Sequence, residues 1–229
     1  GALSHDQARA AFAAQACALK QGGADVLWIE TLSSTEEVIA AVAGAGEADL
    51  PVVVTMSIDT NGRTMMGVTP AQIIALQRIL SPRPIACGTN CGVGAAEVTA
   101  AVANMMNAAG DEPPVIIAKA NCGIPEYMDG KIVYNGTPEL MADYARIVYD
   151  AGATIIGGCC GTTPEHIRLM RQALKAHKRG PRPLTETIVG KLGEISTGAH
   201  AQLRGEMSVQ AGASGTSAAR RQSRRKRKR

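Results

Sequence analysis

Aromatic side chains are scarce in this chain: one Trp, one Phe and four Tyr among 229 residues. A core must therefore be built from Ala, Val, Ile, Leu and Met, a palette that suits helices packed on a parallel sheet. Histidine is also sparse, with four residues and no ligand-spaced pair. No run of 18 or more apolar residues occurs, which argues against a membrane-spanning helix. A signal peptide is lacking at the start. These two absences set the expectation of a cytoplasmic protein. The first residue is Gly1 rather than Met, so the natural start is expected upstream. No G-x-G-x-x-G follows the first predicted strand, which weakens a dinucleotide-binding reading.

What the chain does contain is ample apolar material, 45% of its residues. At this length that builds one domain with a sizeable core, or most of a larger one. The net charge of +4 is misleading. The ten residues from Arg220 to the terminal Arg229 carry eight Lys/Arg and no acid, so residues 1–219 carry a net −4. Six cysteines occur: Cys17, Cys87, Cys91, Cys122, Cys159 and Cys160. In a reducing compartment they point to metal, catalysis or core packing rather than a disulfide framework.

Short β-rich runs at 26–30, 51–56, 84–89, 115–119 and 154–157 alternate with helical patterns. Strands spaced by a helix imply βαβ units and a parallel sheet. Helix starts are marked by Ser4, by Ser33-Ser34-Thr35-Glu36-Glu37, and by Thr69-Pro70, Thr137-Pro138 and Thr163-Pro164. A short helical pattern covers 185–192. Residues 205–219 are rich in Gly, Ser, Ala and Thr without a period and are expected to be disordered, ahead of the basic run. The division expected is therefore 1–178, an extension at 179–204 and a tail at 205–229.

Polar and sulfur-bearing residues gather just after the predicted strands: Glu30-Thr31, Asn90-Cys91-Gly92, Asn121-Cys122-Gly123 and Gly157-Gly158-Cys159-Cys160-Gly161. In parallel α/β folds the carboxyl ends of strands form the active face. Neighbouring residues in a strand face opposite sides. Cys159 and Cys160 can serve one site only if the backbone turns there, and the flanking glycines permit it. A vicinal disulfide and plain core packing are the alternatives. Cys91 as a nucleophile needs a base, and His166 is the only nearby candidate. Three thiolates on one zinc, with a fourth position open, is the chemically simpler arrangement. Cys122 can close such a site as a fourth ligand. Cys17, mid-helix, and Cys87, mid-strand, read as small buried residues.

These blocks, with Gly62-Arg63-Thr64, Gly67-Val68-Thr69 and Gly161-Thr162-Thr163-Pro164-Glu165-His166-Ile167, resemble the homocysteine S-methyltransferases in content and order over roughly residues 3–178. They are most similar to those of bacterial betaine–homocysteine methyltransferases. The resemblance implies a (β/α)8 TIM barrel, of which this chain would be the last five βα units. The family's Asp-Gly-x-x-Gly-Thr block on an earlier strand has no counterpart here. It further implies Zn2+ on Cys91, Cys159 and Cys160, recognition of the homocysteine amino group by Glu30, and a substrate- or loop-orienting role for Asn90. For Glu30, pairing with a neighbouring helix is the plain alternative.

The implied reaction is methyl transfer from a methylated onium donor, betaine foremost, to homocysteine, giving methionine. Trp28, Tyr127 and Tyr134 are the aromatic candidates for facing a cationic donor. Rival readings are a non-catalytic barrel fragment and nucleic-acid association through the basic tail. That tail lacks interleaved aromatics and any reading motif, so it is expected to act at most as a non-specific phosphate binder. A homo-oligomer is compatible with the sequence, and no membrane partner is expected.

Overall fold

The structure is a computed structural model that describes residues 3–59 and 61–206. From residue 207 onward, the tail expected over 205–229 lies outside the described residues. Helix α1 (His5–Gln21) leads into β1 (Leu27–Leu32), α2 (Thr35–Ala45) and a 3₁₀ turn at Gly46–Ala48. There follow β2 (Val52–Met56), α3 (Pro70–Ile79), β3 (Ala86–Cys91), α4 (Ala95–Ala109) and β4 (Val115–Ala120). A hairpin, β5 (Pro125–Met128) and β6 (Lys131–Tyr134), precedes α5 (Pro138–Ala151), β7 (Ile155–Gly158) and α6 (Pro164–Ala176). Two short helices, α7 (Thr185–Leu192) and α8 (Thr197–Leu203), close the described chain.

The helix starts follow from local chemistry. Ser4, Ser34, Thr69 and Thr137 each accept a backbone N–H from the first turn of the helix that follows. Pro70, Pro138 and Pro164 stand at the start of α3, α5 and α6, where a missing N–H costs nothing. Thr163 and His166 form a reciprocal cap in which imidazole replaces the usual carboxamide or carboxylate.

The main sheet runs β1-β2-β3-β4-β7, parallel throughout and in chain order. One face carries the helices. Val52, Val54, Met56, Cys87, Ile116, Ala118 and Ala120 meet Val38, Val42, Ile73, Ile74, Val98, Val102, Met105 and Tyr144 there in one continuous core. The other face has only a small apolar cluster, Val53, Ala86 and Ile117. Alternation along the strands places Trp28, Glu30, Thr55, Gly88, Asn90 and Lys119 on that helix-free face.

The segment expected as an extension folds onto α4. Ile188, Leu192, Ile195 and Ala199 join the core. The Glu97 carboxylate accepts from Ser196 N and Oγ at 3.0 and 2.5 Å. No helix among the described residues is long and apolar enough to cross a membrane.

Candidate metal centre

The register carries Cys91 on β3 to Ala120 on β4 and Gly158 on β7. The Cys159-Cys160 turn thus begins one residue beyond the level of Cys91. Two backbone turns bring the thiols together. Cys91 has φ +61 and Gly92 φ +72, so the strand's alternation breaks at its last residue. A left-handed conformation is uncommon for a residue with a side chain, and such positions gather at functional sites. At Gly92 an added Cβ would lie 2.3 Å from the Ile58 carbonyl oxygen, so no side chain fits there. In the second turn, Thr162 N donates to Cys159 O at 3.2 Å and Gly161 takes φ +77.

The result is one cluster: Cys91 Sγ is 3.9 Å from Cys160 Sγ, and Cys160 Sγ is 4.0 Å from Cys159 Sγ. All three sulfurs lie within 4.8 Å of one another, and among the described residues no other His, Cys, Asp or Glu joins them. Every cysteine is a free thiol. A vicinal disulfide would need the sulfurs about 2.05 Å apart. Tetrahedral zinc at Zn–S about 2.3 Å sets its sulfurs roughly 3.8 Å apart, close to what is seen. An all-sulfur donor set is also what zinc selects. The residues therefore fit a zinc ion and leave a fourth position to a ligand from solution, which the exposure of Cys160 makes accessible.

Burial pushes the Cys91 thiol up to about 11, with Cys159 and Cys160 adding to the rise and a hydrogen bond from Asn121 opposing it. Such a thiol keeps its proton at neutral pH unless a cation draws it off.

Two asparagines brace the cluster. Asn121, just past β4, donates to Gly92 O at 2.7 Å and accepts from Cys160 N at 3.0 Å. It struts the two cysteine loops across the strand between them. Asn90, buried, accepts from Thr31 N at 2.9 Å and donates to Thr31 Oγ1 at 2.7 Å, with Cys159 Sγ 4.0 Å away. Thr31 has φ +67 and sits at the bulge of β1, so Asn90 ties the end of that strand to the thiols.

Cys122 stands apart. Its thiol is 1% exposed, donates to Gly136 O at 2.9 Å and lies 2.9 Å from His166 Nε2. His166 Nδ1 accepts from Thr163 N at 3.1 Å. His166 is thus occupied with Cys122 and the start of α6. Cys87 is buried, and desolvation pushes its thiol up to about 12.

Glu30 does not pair with a helix. Its Oε2 is 2.5 Å from Lys119 Nζ of β4, and that ammonium lies 4.9 Å from the centroid of the Trp28 ring. Tyr127 is exposed on the hairpin, whereas Tyr134 packs on Gly161 beside the Cys160 thiol. Burial first, then that thiol, raises the Tyr134 pKa. The hairpin is an element that sequence reasoning missed, although Asp129-Gly130 between apolar runs signals a tight turn. Asp129 and Gly130 have φ +49 and +79, as that turn requires.

Comparison with known proteins places this architecture. The homocysteine S-methyltransferase family model matches residues 1–174. The methionine synthase of Mycobacterium leprae is 30% identical over 188 residues, which are 79% of this chain and 15% of that protein. The homocysteine methyltransferase MmuM from Escherichia coli in its apo form superposes with a TM-score of 0.60 at 24% identity, over 75% of this chain and 57% of that one. Its oxidized form gives a TM-score of 0.56 at 25% identity, over 72% and 52%. The chain thus spans a small part of the methionine synthase and just over half of the Escherichia coli structure.

Proposed function

Because the chain belongs to the homocysteine S-methyltransferase family, we propose that it holds zinc on Cys91, Cys159 and Cys160 and methylates homocysteine from a methylated onium donor, betaine foremost. In this reading the five parallel βα units are an arc of a (β/α)8 barrel, and the helix-free face is the interior of that barrel. The carrying observation is the three-thiol cluster at the carboxyl ends of β3 and β7.

Cys91, Cys159 and Cys160 would hold the zinc ion, which when bound would supply a Lewis acid that lowers the pKa of the homocysteine thiol. The rest falls to the chain's own groups. Asn90 and Asn121 fix the cysteine loops, so the sulfurs need no rearrangement. Glu30 takes the substrate ammonium in a charge-assisted hydrogen bond. Tyr134, beside Cys160, offers an aromatic face to the cationic donor next to the reacting sulfur. The sulfur's electron pair forms the new S–CH₃ bond. The C–N bond breaks and its pair stays on nitrogen, so betaine leaves as dimethylglycine and homocysteine becomes methionine.

The test is a donor panel on zinc-loaded protein with homocysteine, reading methionine and the demethylated donor by mass spectrometry. Betaine should give dimethylglycine and methionine in equal amounts. Glu30→Gln should keep zinc and raise the homocysteine KM by roughly 10- to 100-fold. Zinc binding without methionine from any onium donor would remove the methyltransferase reading.

A further inference from the structure

Lys119 projects from the end of β4 onto the helix-free face and reaches past β3 and β2 to β1. There its ammonium rests on Glu30 at 2.5 Å and beside Trp28 at 4.9 Å from the ring centroid. An ammonium group therefore already occupies the carboxylate assigned above to the substrate's amino group. An incoming ammonium that takes Glu30 leaves Lys119 without its partner. The Lys119 side chain is only 23% exposed, and a partly buried cation left unpaired is costly. A ligand bringing its own anion removes that cost, because each charge of the opened pair then meets an opposite charge of the ligand. The site is therefore matched to a zwitterion and mismatched to a plain amine.

We propose that Lys119 determines specificity here by recognising the carboxylate of a small zwitterionic substrate, while Glu30 and Trp28 take its cationic end. The inference rests on reading the thiol cluster as a homocysteine methyltransferase centre. Two substrates of that reaction carry such a carboxylate, the amino-acid acceptor and a betaine-type donor. Both present one carboxylate close to one cationic nitrogen, and the experiment separates them.

Zinc-loaded wild type, Lys119→Met, Lys119→Gln and Lys119→Arg, all as full chains, are titrated calorimetrically with two ligand pairs. The first pair is homocysteine and 3-aminopropane-1-thiol, which lacks only the carboxylate. The second is betaine and tetramethylammonium. KM and kcat are measured alongside, with zinc content and melting temperature confirming that each variant is folded.

Wild type should prefer the carboxylate-bearing member of one pair by about 10- to 100-fold. Lys119→Met and Lys119→Gln should lose that preference through KM, with kcat kept. Lys119→Arg should restore most of it. Loss in the first pair assigns Lys119 to the acceptor, and loss in the second assigns it to the donor. A wild type without preference in either pair, or a preference that survives in a folded neutral variant, overturns the proposal. Carboxylate-dependent binding that Lys119 controls, without methyl transfer, would uphold the proposal and remove the methyltransferase reading. Methyl transfer with a carboxylate preference indifferent to Lys119 would do the reverse.

Discussion

The tripeptides Asn90-Cys91-Gly92 and Asn121-Cys122-Gly123 follow successive strands, yet their thiols end in different surroundings. In the first, Asn90 is the penultimate residue of β3, and Cys91 turns left-handed and brings its sulfur to Cys160. The chain then enters α4 at Ala95. In the second, the strand has already ended at Ala120, and the positive φ falls on Gly123 instead. The chain runs out into the β5–β6 hairpin and returns at Gly136, whose N–H donates to Cys122 O at 3.0 Å and whose carbonyl takes the Cys122 thiol. A shift of one residue in where the left-handed turn begins separates a half-exposed thiol that joins the cluster from a buried one. Position after a strand is thus common to a clustered thiol and a buried one.

The comparison can be broken first at the partners of Cys91. Cys159→Ser and Cys160→Ser should each abolish homocysteine methylation. Each should also weaken zinc binding by more than the roughly 10- to 100-fold typical of losing a supporting residue. Competition with a chromogenic chelator measures this. Serine at Cys87, which lies on the helix side of β3, should leave the zinc in place.

The next effect in size belongs to the strut. Asn121→Ala removes the amide that joins Gly92 O to Cys160 N. Zinc affinity should fall by about 10- to 100-fold while the ligands remain. Stability should drop by about 1–3 kcal/mol, the cost of stranding buried polar groups. Denaturant melts with and without zinc separate the two losses.

Smaller again is Cys122→Ala. It removes a buried thiol that bonds Gly136 O and His166, and should cost about 1–2 kcal/mol in a denaturant melt with zinc stoichiometry unchanged. If zinc were lost with it, the contrast between the two tripeptides would collapse.

Much of this was legible in the chain. The strands read at 26–30, 51–56, 84–89, 115–119 and 154–157 stand within two residues of β1, β2, β3, β4 and β7 at either end. Buried parallel strands write themselves as apolar runs, and the Ser and Thr-Pro caps mark where the helices begin. The glycines beside Cys159-Cys160 announced a turn. Three features depend on tertiary placement and were not legible. Tyr134 reaches Cys160 only because the hairpin folds back on Gly161. Lys119 meets Glu30 across two intervening strands, a pairing no local pattern encodes. The different surroundings of Cys91 and Cys122 depend on which residue of each tripeptide takes the left-handed turn, although the family resemblance by itself implies Cys91 as the ligand. Helix α8 was missed as well, since its seven residues are held by Asn61, Glu97 and Gly62 rather than by a period of their own.

The account stands on which of the two Asn-Cys-Gly thiols is a metal donor. The direct measurement is zinc per chain, by atomic emission on reduced protein, for Cys91→Ser beside Cys122→Ser. The account predicts about one zinc per chain in wild type and in Cys122→Ser, and little in Cys91→Ser. Full zinc in Cys91→Ser, or its loss from Cys122→Ser, would contradict it.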